Sequence, residues 1–173
     1  MEKYLGIPEI VGVVGLCFRG FCYMLLGVFL EVSFSVFLIE KVTGAPVAKR
    51  VSKNHLEGHI SLYMYPLHAL GMVFGFELVL RQMVHLQMGV RYLIWCVLFT
   101  AVEFVYGMLL HKFVGLFPWD YYKLSKYKIG KNGYSLYTII PLWGVAGLIL
   151  EQASLLLQFL SPFAVNYFFD KIQ

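Results

Sequence analysis

Apolar residues in this chain come in long runs, not in the three-and-four spacing of an amphipathic surface helix. Crossing a hydrocarbon core of about 30 Å takes about 20 predominantly apolar residues in a helix. Four stretches meet that length, residues 20–39, 60–80, 92–110 and 136–160. The first continues N-terminally through Glu9–Phe18. That overshoot predicts either a tilted helix or a break near Arg19-Gly20, with an interfacial or reentrant helix before it. Pro66 predicts a kink in the second stretch, and Ser161-Pro162 closes the fourth. The tail Phe163–Gln173 mixes Phe, Tyr, Asp and Lys and reads as an interfacial segment. The expected fold is all-α integral membrane, a four-transmembrane-helix bundle, with 1–173 as one membrane domain.

Composition sharpens this. Hydrophobic residues make up 60% of the 173 and charged residues 14%, against roughly 25% charged in an average soluble domain. Mean hydropathy is +0.72. Too few polar residues remain to cover a water-soluble surface. The net charge of +4 is mild and scattered, which points to membrane lipids as partners and away from nucleic acid. Cys17, Cys22 and Cys96 all sit in apolar runs and read as small packing residues. Glu2 and Lys3 cancel, and no small-x-small site follows, so a cleaved signal peptide is not expected.

Basic residues distinguish the two sides. The 40–59 connection carries Lys41, Lys49, Arg50 and Lys53, and the 111–135 connection carries Lys112, Lys123, Lys126, Lys128 and Lys131. The opposite side has Lys3, Arg19, Arg81, Arg91 and Lys171. The positive-inside rule then puts both connections in the cytoplasm and both termini outside, in a multi-pass cell-membrane protein.

Each stretch also carries one glutamate: Glu31, Glu77, Glu103 and Glu151. A charge at the bilayer centre costs at least ~2.5–3.5 kcal/mol, so such side chains rarely face lipid. Glu31 lies four residues from Gly27 and from Ser35, and Glu103 lies near Thr100 and Gly107. Glu151 aligns with Trp143, Gly147, Ser154 and Gln158. These spacings put each set on one helix face. Small residues allow close approach and polar ones bond across the seam. Glu31, Glu103 and Glu151 are therefore expected to converge on one interior site for a proton, a cation or a small polar solute. The alternative is that they hold helices together. Glu77 and Arg81 have the spacing of a structural ion pair within one helix, and Gly71-x-x-x-Gly75 reads as a helix-packing face. Arg19 and Arg91 could reach the glutamates or snorkel to headgroups. His55-x-x-x-His59 would align two imidazoles, but no further ligands follow at a zinc spacing, so no metal is expected. Asp120 in Trp119-Asp-Tyr121 suits either an interfacial lock or a ligand contact.

Several of these patterns together resemble one family. They are Gly27-Val-Phe-Leu-Glu31, Gly58-His-Ile-Ser61-Leu-Tyr63-Met-Tyr-Pro66 and Glu77-Leu-Val-Leu-Arg81. Val102-Glu103-Phe-Val-Tyr-Gly107, Pro118-Trp119-Asp120-Tyr121 and Pro141-Leu-Trp143-Gly144 with Leu150-Glu151-Gln152 complete them. The order is similar to the transmembrane-protein-229-like family, whose bacterial members carry an ABC-transporter permease label of the CmpB type. The likeness covers residues 20–155. The chain departs from it at Ile60-Ser61, Tyr63 and His68, where the family tends to show Thr-Ser, Trp and Tyr.

Three functions follow as expectations. The leading one is transport or permeation through midplane carboxylates Glu31, Glu103 and Glu151, with Trp119 and Asp120 as further contacts. Four short helices leave little room for a translocation path, so a homo-oligomer or partner subunit is expected. Gly130-Lys-Asn-Gly lacks the Walker A spacing, so an ATP-driven role would need a separate ATPase. No cofactor is expected. The second is a membrane enzyme acting on a lipid or isoprenoid, with Glu as acid/base and a histidine such as His59 assisting. The third is a non-catalytic assembly or sensor subunit.

Overall fold

The computed structural model describes residues 8–47, 55–58 and 60–172. Helices dominate, and the described residues contain no strand, only an isolated antiparallel bridge between Lys128 and Leu136. In chain order the helices are α1 (Pro8–Phe37), α2 (Ile39–Thr43), α3 (Met64–Pro66), a π-helix (Leu67–Phe76), α4 (Glu77–Met83), α5 (Met88–Val114) and α6 (Ile140–Ile172). Gly12–Phe37, Met88–Val114 and Tyr137–Asp170 are each long and apolar enough to cross a membrane. Their outer faces are greasy: Phe29 is 65% exposed, Val97 68% and Phe159 65%. Aqueous proteins rarely expose apolar area so continuously, whereas lipid accepts it. The protein is a membrane protein.

The stretch from Met64 to Met83 is also helical, in three joined pieces. The wider π turn begins directly after Pro66, which has no amide hydrogen to donate and crowds the preceding turn. It returns to α geometry at Glu77, whose N–H still bonds five residues back to the Met72 carbonyl.

The chain forms two compact units. The first comprises Met1–Phe29, Leu62–Gln82 and Glu151–Gln173. Its core holds Tyr23, Met72, Val73, Phe76, Leu80 and Val165. Of the two outcomes expected for the overlong first stretch, a tilt or a break near Arg19-Gly20, the break does not occur, because α1 runs unbroken from Pro8 to Phe37. Both residues have partners that suit an intact helix. Gly20 admits the Leu67–Phe76 helix, so that a Cβ there would lie 3.7 Å from Val73 and 3.9 Å from the Ala69 carbonyl. Arg19 is neutralised in place by Glu77. The expected stop at Ser161-Pro162 is likewise corrected, since α6 continues through Pro162 and takes in the tail. Membrane helices tolerate proline where side chains and neighbouring helices satisfy the freed backbone. Among the described residues, a Cβ at Gly75 would touch nothing within 4 Å, and one at Gly71 would meet only Leu67, of its own helix.

The second unit comprises Leu30–Ser61 and Met83–Leu150. Here α2 ends on Gly44, whose φ of 65° lets its N–H cap the Glu40 carbonyl. The helix α5 ends on Gly115 at φ 74° with His111 and Lys112 in its last turn. The connection after it is built, not trailing. A short 3₁₀ turn (Asp120–Leu124) leads into a tight reversal in which Ile129 N–H bonds Ser135 O (2.8 Å) and Tyr137 N–H bonds Tyr127 O (2.9 Å). Ser125 Oγ donates to the Thr43 carbonyl (2.6 Å) and Thr138 Oγ1 to the Val42 carbonyl (2.7 Å), which latches the reversal to α2. These bonds satisfy carbonyls that the end of α2 would otherwise leave open.

Candidate buried carboxylate site

Glu103 sits at mid-length of α5, is 4% exposed, and is the acceptor at the centre of the second unit. Tyr122 Oη donates to its Oε1 (3.0 Å). The Ser135 hydroxyl and the Trp143 indole both donate to Oε2, the latter over 3.2 Å. No cationic side chain pairs with it among the described residues. Three neutral donors thus hold one carboxyl in an apolar span. Trp143 can only donate, but the two hydroxyls can reverse and accept. The same frame can therefore hold the carboxyl ionised or protonated.

Two of the three donors come from the 111–135 connection. The aromatics of that segment carry it inward: Trp119, Tyr122 and Tyr134 are buried, and Ser135 is fully enclosed. Trp119 lies on Gly107, where a Cβ would come within 2.6 Å of its ring, and it stacks on Tyr122 at 6.3 Å. Its part is packing that seats Tyr122. Burial, then the charge of Glu103, holds the Tyr122 phenol proton well above the ordinary range. Tyr121 is raised for the same reasons, with Glu31 and Asp120 adding to the effect.

Glu31 belongs to this unit and lies within electrostatic range of Glu103 and of Tyr106. It is half-buried. Asp120 opens the 3₁₀ turn but is exposed, outside the enclosed group. His111 is engaged by Tyr134 Oη (2.8 Å), which also accepts from Asn132. His59 lies outside the described residues.

The first unit has its own polar chain. Glu77, 1% exposed, receives Arg19 Nε at 2.9 Å, Arg19 Nη2 at 3.3 Å and Tyr23 Oη at 3.0 Å. Arg19 Nη1 donates to Ser161 Oγ (3.2 Å). The partner expected for Glu77, Arg81, is exposed instead. Spacing along one helix puts Arg81 within reach, but the carboxylate turns into the protein and Arg81 outward. Glu151, 2% exposed, falls in this unit with fully buried Ser154, which accepts from Gln158 (3.0 Å).

The sequence does not single out Tyr122 or Ser135, because residues 111–135 read as a lysine-rich connection between spans. Its density of aromatics was the available signal. The fold and site define a helical membrane protein with enclosed carboxylates, one ion-paired and one held only by neutral donors. Residues 21–170 match the family described as "Putative ABC-transporter type IV" (ABC_trans_CmpB), and the chain belongs to that family. Neither the curated proteins nor the solved structures compared with it give a match. The family and the three apolar helices support a membrane transport-related role.

Proposed function

We propose that this chain is a multi-pass permease-type subunit of the cell membrane in which Glu103 is the protonatable group of a transport site. The observation that carries this is the contrast between two buried carboxylates. Glu77 has an arginine and serves structure, whereas Glu103 has only Tyr122, Ser135 and Trp143. A carboxyl so placed gains by taking a proton or a cation, and intramembrane acids of this kind mark ion and solute pathways. Glu31 adds a second acid in range, and Glu151 is a third buried carboxyl to which the same test applies. Met64–Met83, a helical stretch with the apolar length of a span, serves as the fourth crossing. A path of this size needs a second copy or a partner subunit, and energy from ATP would come from a separate ATPase. Membrane lipids complete its surroundings, and nucleic acid has no part.

The test is an imposed pH gradient across vesicles containing the purified protein. Wild type should dissipate it faster than empty vesicles. Glu103→Gln keeps volume and hydrogen bonding, so it should remain folded yet lose the flux, because an amide cannot release a proton. Glu103→Leu should also destabilise, by leaving the three donors unsatisfied. Equal flux in wild type and Glu103→Gln would reduce Glu103 to helix packing.

A further inference from the structure

A cavity of about 420 Å³ opens on the side of α5 in the second unit. Cys96, Val97, Ala101 and Phe104 line it from the helix, and Ile129 and Ile140 from beyond it. Thr100 is the one side chain in the lining with a hydroxyl, and it is spent on its own helix, donating to the Cys96 carbonyl (2.6 Å). The surface of the groove is thus almost wholly apolar, with the Cys96 thiol as its remaining weakly polar group. It follows α5 from Cys96 to Val105, about 14 Å at 1.5 Å per residue, inside a helix apolar enough to span. At that depth its natural filling is an acyl chain.

The charge around Ile129 selects which one. Ile129 stands between Lys128 and Gly130 in the tight reversal, and Lys131 follows. From Tyr121 to Ser135 the chain has Lys123, Lys126, Lys128 and Lys131 and no acidic residue. Lys126 and Lys131 are exposed. Lys128 donates to the Lys123 carbonyl (3.1 Å) and pairs with no carboxylate among the described residues. Basic clusters beside spanning helices attract anionic headgroups, at about 1 kcal/mol per lysine. We propose that this groove is a specific site for an anionic phospholipid, with one acyl chain along α5 and the phosphate at Lys128 and Lys131. The site would seat the reversal that carries Ser135, and so would make the enclosed carboxyl dependent on lipid type.

The experiment uses purified protein in mild detergent, mixed with palmitoyl-oleoyl phosphatidylglycerol or phosphatidylcholine. Native mass spectrometry counts retained lipid, and melting is followed in parallel. Phosphatidylglycerol should be retained about ten-fold better than phosphatidylcholine, and Lys128→Gln/Lys131→Gln should remove the difference. Val97→Trp and Ala101→Trp fill the groove from exposed positions, where the fold tolerates bulk. Each should lose both lipids while melting in detergent like wild type. If either variant fails to fold, the other decides. Equal retention of the two lipids by wild type would overturn the proposal, as would wild-type retention by a folded Trp variant. Lipid retention is read without any flux, so the transport reading stands or falls separately.

Discussion

Arg19 and Glu77, 58 residues apart in the chain, form an ion pair of 2.9 Å with side chains 13% and 2% exposed. Tyr23 and Ser161 complete the arrangement. A buried pair contributes little against an apolar replacement, but losing one member strands a charge, at about 3–5 kcal/mol. Arg19→Ala should therefore destabilise strongly, and Arg81→Ala should stay within about 0.5 kcal/mol of wild type. Arg19→Gln with Glu77→Gln should recover part of the loss. Denaturant or thermal melting in detergent measures all three. Destabilisation by the double variant equal to the sum for Arg19→Gln and Glu77→Gln, each measured alone, would mean the two are uncoupled.

Gly147 faces Trp95 so closely that a Cβ would overlap the indole. Trp95 is itself 1% exposed and stacks on Phe99 at 5.3 Å, so it has nowhere to retreat. Gly147→Leu should cost about 1–3 kcal/mol or more through overpacking. Gly75→Ala, where nothing lies within 4 Å, should not lower melting and should raise stability by about 0.5–1 kcal/mol through helix propensity. The comparison separates glycines that bring helices together inside the chain from a glycine that merely matches the spacing.

The raised phenols give a pH prediction. Tyr121 and Tyr122 ionise in the unfolded chain near the ordinary value of 10.0, but burial holds them protonated when folded. A group whose folded pKa is raised lends stability that is complete below the unfolded pKa and is lost as pH climbs above it. Melting temperature should fall above pH ~10. Tyr122→Phe should flatten that fall, while costing about 1 kcal/mol at neutral pH for the lost bond to Glu103. Tyrosinate absorbance followed against melting checks both.

Orientation is open to labelling in intact cells. The positive-inside rule predicts that, with Cys17, Cys22 and Cys96 replaced, Lys49→Cys and Lys126→Cys should resist an impermeant thiol reagent. Efficient reaction would reverse the topology.

A helical membrane protein is legible from the order of residues, because unbroken apolar runs near 20 residues have one stable environment and one backbone form there. That order also marks Glu31, Glu77, Glu103 and Glu151 as unusual, since composition and depth alone make a carboxyl there costly. Partners were another matter. Helical spacing put Arg81 near Glu77, but Arg19 from α1 holds that carboxylate, and no local rule reaches across 58 residues. The same limit hid Tyr122 and Ser135, whose route to Glu103 depends on a reversal latched to Thr43 and Val42 by two hydroxyls. Arg19-Gly20 and Pro162 looked like breaks because propensity is local. Tertiary packing accommodates Arg19-Gly20 within α1 by giving Arg19 a counter-charge and Gly20 a neighbour, and beside Pro162 the Ser161 hydroxyl meets Arg19 and the Gly15 carbonyl. Hydrophobicity acts through composition and survives in the sequence, whereas the choice of partner for a buried polar group is made only when distant segments meet.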